Sequence, residues 1–167
     1  VVTASNEISF RVHGLEFARA RSAPSPGSFR LVQEIIFGTG RFETRLTDDN
    51  QPQFTELMHR VSAVRHSHGN HNDALWRMQP ERWMEAALLS DVSVLNPHID
   101  AEPVYSQVPA FAASDRAMID VLARTRQGRL AVIELKADED LQLPLQGLDY
   151  WSRVHWHQQR GEFHKFG

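Results

Sequence analysis

Residues 117–136, AMIDVLARTRQGRLAVIELK, read as two strands joined by a tight turn, and they carry Asp120, Glu134 and Lys136 amid apolar alternation. Segments 117–124 and 129–136 are rich in Val, Ile and Leu, which suit strands. Between them, Arg126, Gln127 and Gly128 end in a glycine able to take the positive φ that closes a three-residue hairpin loop. A loop centred on Gln127 sets Asp120 opposite Glu134, Ile119 opposite Leu135 and Val121 opposite Ile133, leaving one face apolar and the other charged. Directly opposed side chains of an antiparallel pair stand roughly 4.5–5.5 Å apart at Cβ. Both carboxylates then reach one small cation, and Lys136, two residues past Glu134, points to the same face. A two-residue loop at Gln127 and Gly128 would instead pair Asp120 with Leu135 and send the constellation to both sides of the sheet.

The rest of the chain bounds what such a site can serve. Its 167 residues suit one domain, with at most a small appendage, and can bury a real core. A net charge of −3 argues against a strongly basic nucleic-acid binder of the histone or ribosomal kind. It leaves room for a metal-dependent nuclease, whose carboxylates are neutralised locally by the cation they hold. The absence of cysteine removes disulfides and thiolate zinc sites and fits a reducing cytoplasm. No apolar run is long enough for a membrane span, and VVTASNEISF has neither the charged start nor the apolar stretch of a signal peptide. A cytoplasmic protein without membrane contact is the expectation.

In chain order, residues 7–20 alternate like a strand with a break or bulge at Gly14, and the Pro- and Ser-rich segment 21–28 reads as a loop. A second strand runs from Phe29 to about Gly38, so residues 1–48 form an N-terminal β-rich layer without chemistry. Residues 49–167 then make the main domain. Phe54, Leu57, Met58, Val61 and Val64 recur at helical spacing behind Asn50 as a cap and Pro52 in the first turn. His66, His68 and His71 follow in a polar loop, where three imidazoles could bind zinc or nickel. A solvated loop is the better reading, because no carboxylate or cysteine completes the set. Pro80 opens a helix to about Leu95, with Trp83, Ala87 and Val94 along one side and Glu81 and Glu85 one turn apart. Val104–Phe111 reads as a strand bounded by Pro103 and Pro109. After the hairpin, Pro144 opens a helix whose Leu145, Leu148 and Val154 can face the core, while Gln146 and Tyr150 project together. Taken singly, Tyr150 would be ordinary core packing, and His155 and His157 surface residues.

Taken together, Ile119-Asp120, thirteen intervening residues, Glu134-Leu135-Lys136 and then Gln146-Gly-Leu-Asp-Tyr150 resemble the PD-(D/E)xK nuclease superfamily. The spacing of Gln146 and Tyr150 is similar to the Gln-x-x-x-Tyr motif of its RecB-type branch, with bacterial members in view. The resemblance spans about residues 80–155, with Ile119 where the family name has proline. It implies an α/β fold, a restriction-endonuclease-like αβββα core with a mixed sheet, plus the N-terminal β-rich layer, which would either pack on the main domain or contribute to an interface. It also implies hydrolysis of DNA phosphodiesters with Mg²⁺ or Mn²⁺ held by Asp120, Glu134, the carbonyl of Leu135 and, directly or through water, Glu85. Glu85 is preferred to Glu81 because it lies deeper in its helix. Lys136 would position or polarise the attacking water, and Gln146 and Tyr150 would orient Lys136 or a phosphate. The family core continues with another strand after the glutamine-bearing helix. Ending at Gly167, the chain would be either truncated or completed by a partner subunit in a homodimer. The alternative function is a catalytically inactive DNA-binding or protein-interaction module on the same fold.

Overall fold

The computed structural model describes residues 1–25, 27, 30–110 and 117–165, and the chain starts with β1 (Val2–Ala4) and β2 (Glu7–Val12). His13 and Gly14 then take φ values of 42° and 78°. Two successive residues at positive φ give a hairpin turn whose twist matches its flanking strands. Gly14 is therefore the turn into β3 (Leu15–Pro24), not a break within one strand, and the bulge falls at Phe10 and Arg11. A side chain at Gly14 has no room, since a Cβ would stand 2.1 Å from the carbonyl oxygen of Arg82.

β3 continues to Pro24, into the segment expected as loop, because Ala18 to Pro24 pair in register with Phe37 to Leu31 of β4 (Leu31–Thr39). Proline is tolerated there, at the end of the strand. β5 (Phe42–Arg45), which carries no strong pattern, completes a five-stranded antiparallel meander in sequence order. Phe29 and Phe111, expected ends of two strands, lie outside the described residues.

After a 3-10 turn at Asp48–Asn50 comes α1 (Gln51–Val64). Asn50 holds its N-cap position, but its side chain secures the approach instead: it accepts from the Thr47 N–H and donates to the Arg45 carbonyl, both at 2.8 Å. Phe54, Leu57, Val61 and Val64 pack onto Leu15, Phe17, Ala18 and Phe37. Periodicity announces that α1 buries a stripe without saying against what, and the answer is the N-terminal sheet. The chain accordingly divides into two compact units, Val1–Trp83 and Met84–Gly167, rather than at residues 48 and 49 as expected.

The interior of the first unit holds a charge. Arg65, which directly precedes the histidine loop, is 0% exposed. Its Nη1 donates to the carbonyls of Leu75 (3.0 Å), Trp76 (2.7 Å) and Met78, and its Nη2 to those of His13 and Gln79, both at 3.2 Å. The guanidinium carbon lies 4.8 Å from the centre of the Trp83 ring. Backbone carbonyls disperse the charge that burial would otherwise penalise, and the loop around α2 (Ala74–Arg77) is shaped to supply them.

α3 (Pro80–Ser90) begins at Pro80 as expected, within the first unit, and carries the chain into the second, but it stops at Ser90, where Asp91 caps a separate 3-10 turn at Val92–Val94. The break moves Val94 out of phase. Val94 and Ala87 are exposed, while Glu85 and Val92 are the residues buried. Next come β6 (Ile99–Pro109), β7 (Met118–Thr125) and β8 (Leu130–Ile133), a sheet in the order β6-β7-β8. Both pairings are antiparallel, where a mixed sheet was expected. Parallel neighbours need a crossover of about a dozen residues or more, and neither 110–117 nor 126–129 supplies one.

α4 (Leu143–Gln159) lays Tyr150 and Val154 onto Ala110, Ile119 and Leu122. Leu145 and Leu148, expected in the core, are 62% and 58% exposed. The inward face is instead the one that carries Gln146, Tyr150 and Val154 at successive turns. Val92, Ile99 and Ala123 form a second cluster, with Val104 and Ile133 against it. The second unit thus runs from the later part of α3 through β6, β7, β8 and α4, and the chain is a mixed α/β protein. Among the described residues no helix is long and apolar enough to cross a membrane.

Arg65→Met should strand several buried carbonyls at once. The expected cost is about 3 kcal/mol, read by urea denaturation of the whole chain with Trp76 and Trp83 fluorescence as the probe.

Candidate active site

The hairpin turn decides what meets at the site. Thr125 donates its N–H to the Arg129 carbonyl at 2.7 Å, Gly128 donates to the Thr125 carbonyl at 2.8 Å, and Gly128 has φ 77°. This is the three-residue loop. The register that follows pairs Arg124 with Leu130, Ala123 with Ala131, Leu122 with Val132 and Val121 with Ile133. A two-residue loop is thereby excluded.

β8 ends at Ile133, short of the residue 136 expected, and beyond it side chains take over from the backbone ladder. Leu135 donates its N–H to Asp120 Oδ2 at 2.9 Å, while the Asp120 N–H lies 3.4 Å from Glu134 Oε1. Each carboxylate is thus held by backbone from the opposite strand. Two amide side chains hold the remaining oxygens. Gln107 Nε2, from β6, donates to Asp120 Oδ1 at 3.3 Å, and Gln146 Nε2, from α4, donates to Glu134 Oε2 at 3.1 Å. Gln146 Nε2 also donates to the Tyr150 hydroxyl at 3.3 Å. Tyr150 is itself 7% exposed and sits in the core beneath α4.

Electrostatics mark the pair as unusual. Burial and the neighbouring charge of Asp120 push the Glu134 carboxyl up to about 7, against the opposing pull of the Asp120 N–H and of the Lys136 charge. Lys136 lies past the end of β8, is exposed, and acts on Glu134 through its charge. The Leu135 and Asp120 N–H groups and the Gln107 and Gln146 amides, which donate to the two carboxylates, are all neutral groups.

Of the residues singled out from the sequence, Asp120, Glu134, the backbone of Leu135, Gln146 and Tyr150 come together. Gln146 sits on Glu134. Glu85 is the buried member of its pair at 8% exposure, while Glu81 is exposed. Among the described residues no three His, Cys, Asp or Glu side chains form a group able to hold a metal ion. That applies equally to the histidine loop. His66 turns its ring to the Ala63 carbonyl at 2.9 Å, and His71 stacks on Trp76 at 4.0 Å. The residue missed from the sequence is Gln107. Nothing in YSQVP marks it, because its partner strand is known only once β6 is seen to pair with β7.

A carboxyl raised from about 4.5 to about 7 keeps its proton in the folded chain over a range where the unfolded chain has lost it. Its contribution to stability is complete below pH 4.5 and disappears as pH rises to about 7. Without added metal, Glu134→Gln should therefore gain on the wild type between pH 5 and pH 8. After discounting for solvent screening the gain is about 1 kcal/mol, read from urea midpoints at the two pH values.

No protein-family model, no curated protein and no solved structure matches this chain.

Proposed function

We propose that the second unit is a metal-dependent nuclease of the PD-(D/E)xK kind, with DNA as substrate and Mg²⁺ or Mn²⁺ as cofactor. The observation that carries this reading is the reciprocal hold of Asp120 and Glu134 at the end of the β7–β8 hairpin. Two carboxylates brought side by side in a half-buried place repel one another, and burial adds to the cost of charging them. A divalent cation reverses that balance, and two carboxylates with a backbone carbonyl suit a hard cation that keeps several waters. The residues present fit the group: Asp120 and Glu134 would hold it with the carbonyl of Leu135. When bound, the cation supplies positive charge at the scissile phosphate and acidifies the attacking water.

The remaining steps belong to side chains. Gln146, fixed by Tyr150, keeps Glu134 turned toward Asp120. Lys136 follows the pair on an exposed segment, where its ammonium can orient the water and offset negative charge growing on the phosphate. Glu85 receives no ligand role in this scheme. The order α3, β6, β7, β8, α4 supports a restriction-endonuclease-like core, although in an antiparallel version.

Cleavage of supercoiled plasmid and of single-stranded DNA with Mg²⁺ or Mn²⁺ tests the reading. Asp120→Asn and Lys136→Ala should each lower the rate by at least about 100-fold without loss of folding, as judged by circular dichroism. Wild-type cleavage no faster than that of Lys136→Ala would leave the inactive-module alternative in its place.

A further inference from the structure

Gln107 lies in β6 between the pairs Ser106–Val121 and Val108–Ile119, so it faces the position of Asp120 on β7. Its φ is 52°, a left-handed value that costs a non-glycine residue of order 1 kcal/mol inside a strand. Were the bend needed only for the path of the backbone, glycine would provide it without strain. The glutamine side chain instead makes a hydrogen bond from Nε2 to Asp120 Oδ1 at 3.3 Å. Because the Leu135 N–H already holds Oδ2 at 2.9 Å, both oxygens of Asp120 are engaged, and the carboxylate cannot rotate without breaking one contact.

From this arrangement we infer that Gln107 is a positioning residue for the carboxylate pair, holding Asp120 in the orientation in which it and Glu134 together take a divalent cation. The inference rests on the metal-dependent reading above. An amide suits the task better than Arg or Lys, since it supplies direction without adding positive charge that would compete with the cation. Gln146, from α4, does the same for Glu134. The two carboxylates are thus set by a symmetrical pair of neutral donors, one from a strand and one from a helix.

The test uses the full chain and Mn²⁺ alone as ligand, followed by calorimetry, with melting temperature measured in EDTA. Gln107→Gly removes the amide and relieves the strained φ. Gln107→Asn keeps a polar side chain that tolerates the left-handed region but is one methylene shorter. Both should melt no lower than about the wild type, bind Mn²⁺ about tenfold more weakly or worse, and lower kcat on DNA with KM unchanged. A purely structural Gln107 would move the melting temperature and leave the Mn²⁺ affinity alone. Wild-type affinity in both variants would overturn this assignment while leaving the nuclease reading standing. Failure of the wild-type chain to bind Mn²⁺ at millimolar concentration would overturn both.

Discussion

The positive φ of Gly128 and the three-residue loop it closes fix the register of β7 against β8. Everything at the candidate site depends on that register. A shift by one residue would send Asp120 and Glu134 to opposite faces of the sheet and dissolve the reciprocal contacts at the hairpin's open end. The turn is itself exposed, with no neighbour within 4 Å of where a Cβ at residue 128 would stand, and beyond its own backbone bonds it is tied by the Arg126 N–H to the His98 carbonyl at 2.9 Å. Packing then secures the other end. Ile119 and Leu122 are gripped by Tyr150 and Val154 of α4, and the same helix delivers Gln146 to Glu134.

This division of labour explains why part of the site was legible in the sequence. Loop closure, strand alternation and helical spacing are local, and they suffice to set Asp120 beside Glu134 and to put Gln146 and Tyr150 on one helical face. Residues that act through tertiary pairing leave no such trace. Gln107 gains its role because β6 pairs with β7, and the segment between them carries no turn signature from which that register could be derived. Leu145 and Leu148 mislead for a related reason: α4 offers two possible apolar stripes, and only the docked helix decides that Tyr150 and Val154 face inward. The boundary between the units is hidden in the same way. Phe54, Leu57 and Val61 look the same in sequence whether they cover the N-terminal sheet or the C-terminal one.

The two units handle buried charge by different means. Arg65 is surrounded by backbone carbonyls and an indole ring, a dispersed set of partial negative charges that leaves the cation satisfied and the interior closed. Such a cage contributes to stability and offers no reactive group. Asp120 and Glu134 accept from neutral backbone and amide donors, but two carboxylates share one half-buried place, and burial first and the neighbouring Asp120 second raise the affinity of Glu134 for its proton.

Backbone strain follows the same geography. Among the described residues the non-glycines at positive φ are His13, Gln79 and Gln107. His13 and Gln79 turn their carbonyls onto Arg65, so their strain is offset within the first unit by a fully buried cation. Gln107 has no cation to repay it. Its amide serves an anion that is already crowded by another anion, and donation from a neutral group cannot cancel two negative charges. Strain at Gln107 and the crowding of Asp120 against Glu134 therefore fall at the same point, and the Lys136 charge offsets the crowding only in part, since the Glu134 carboxyl still stands at about 7.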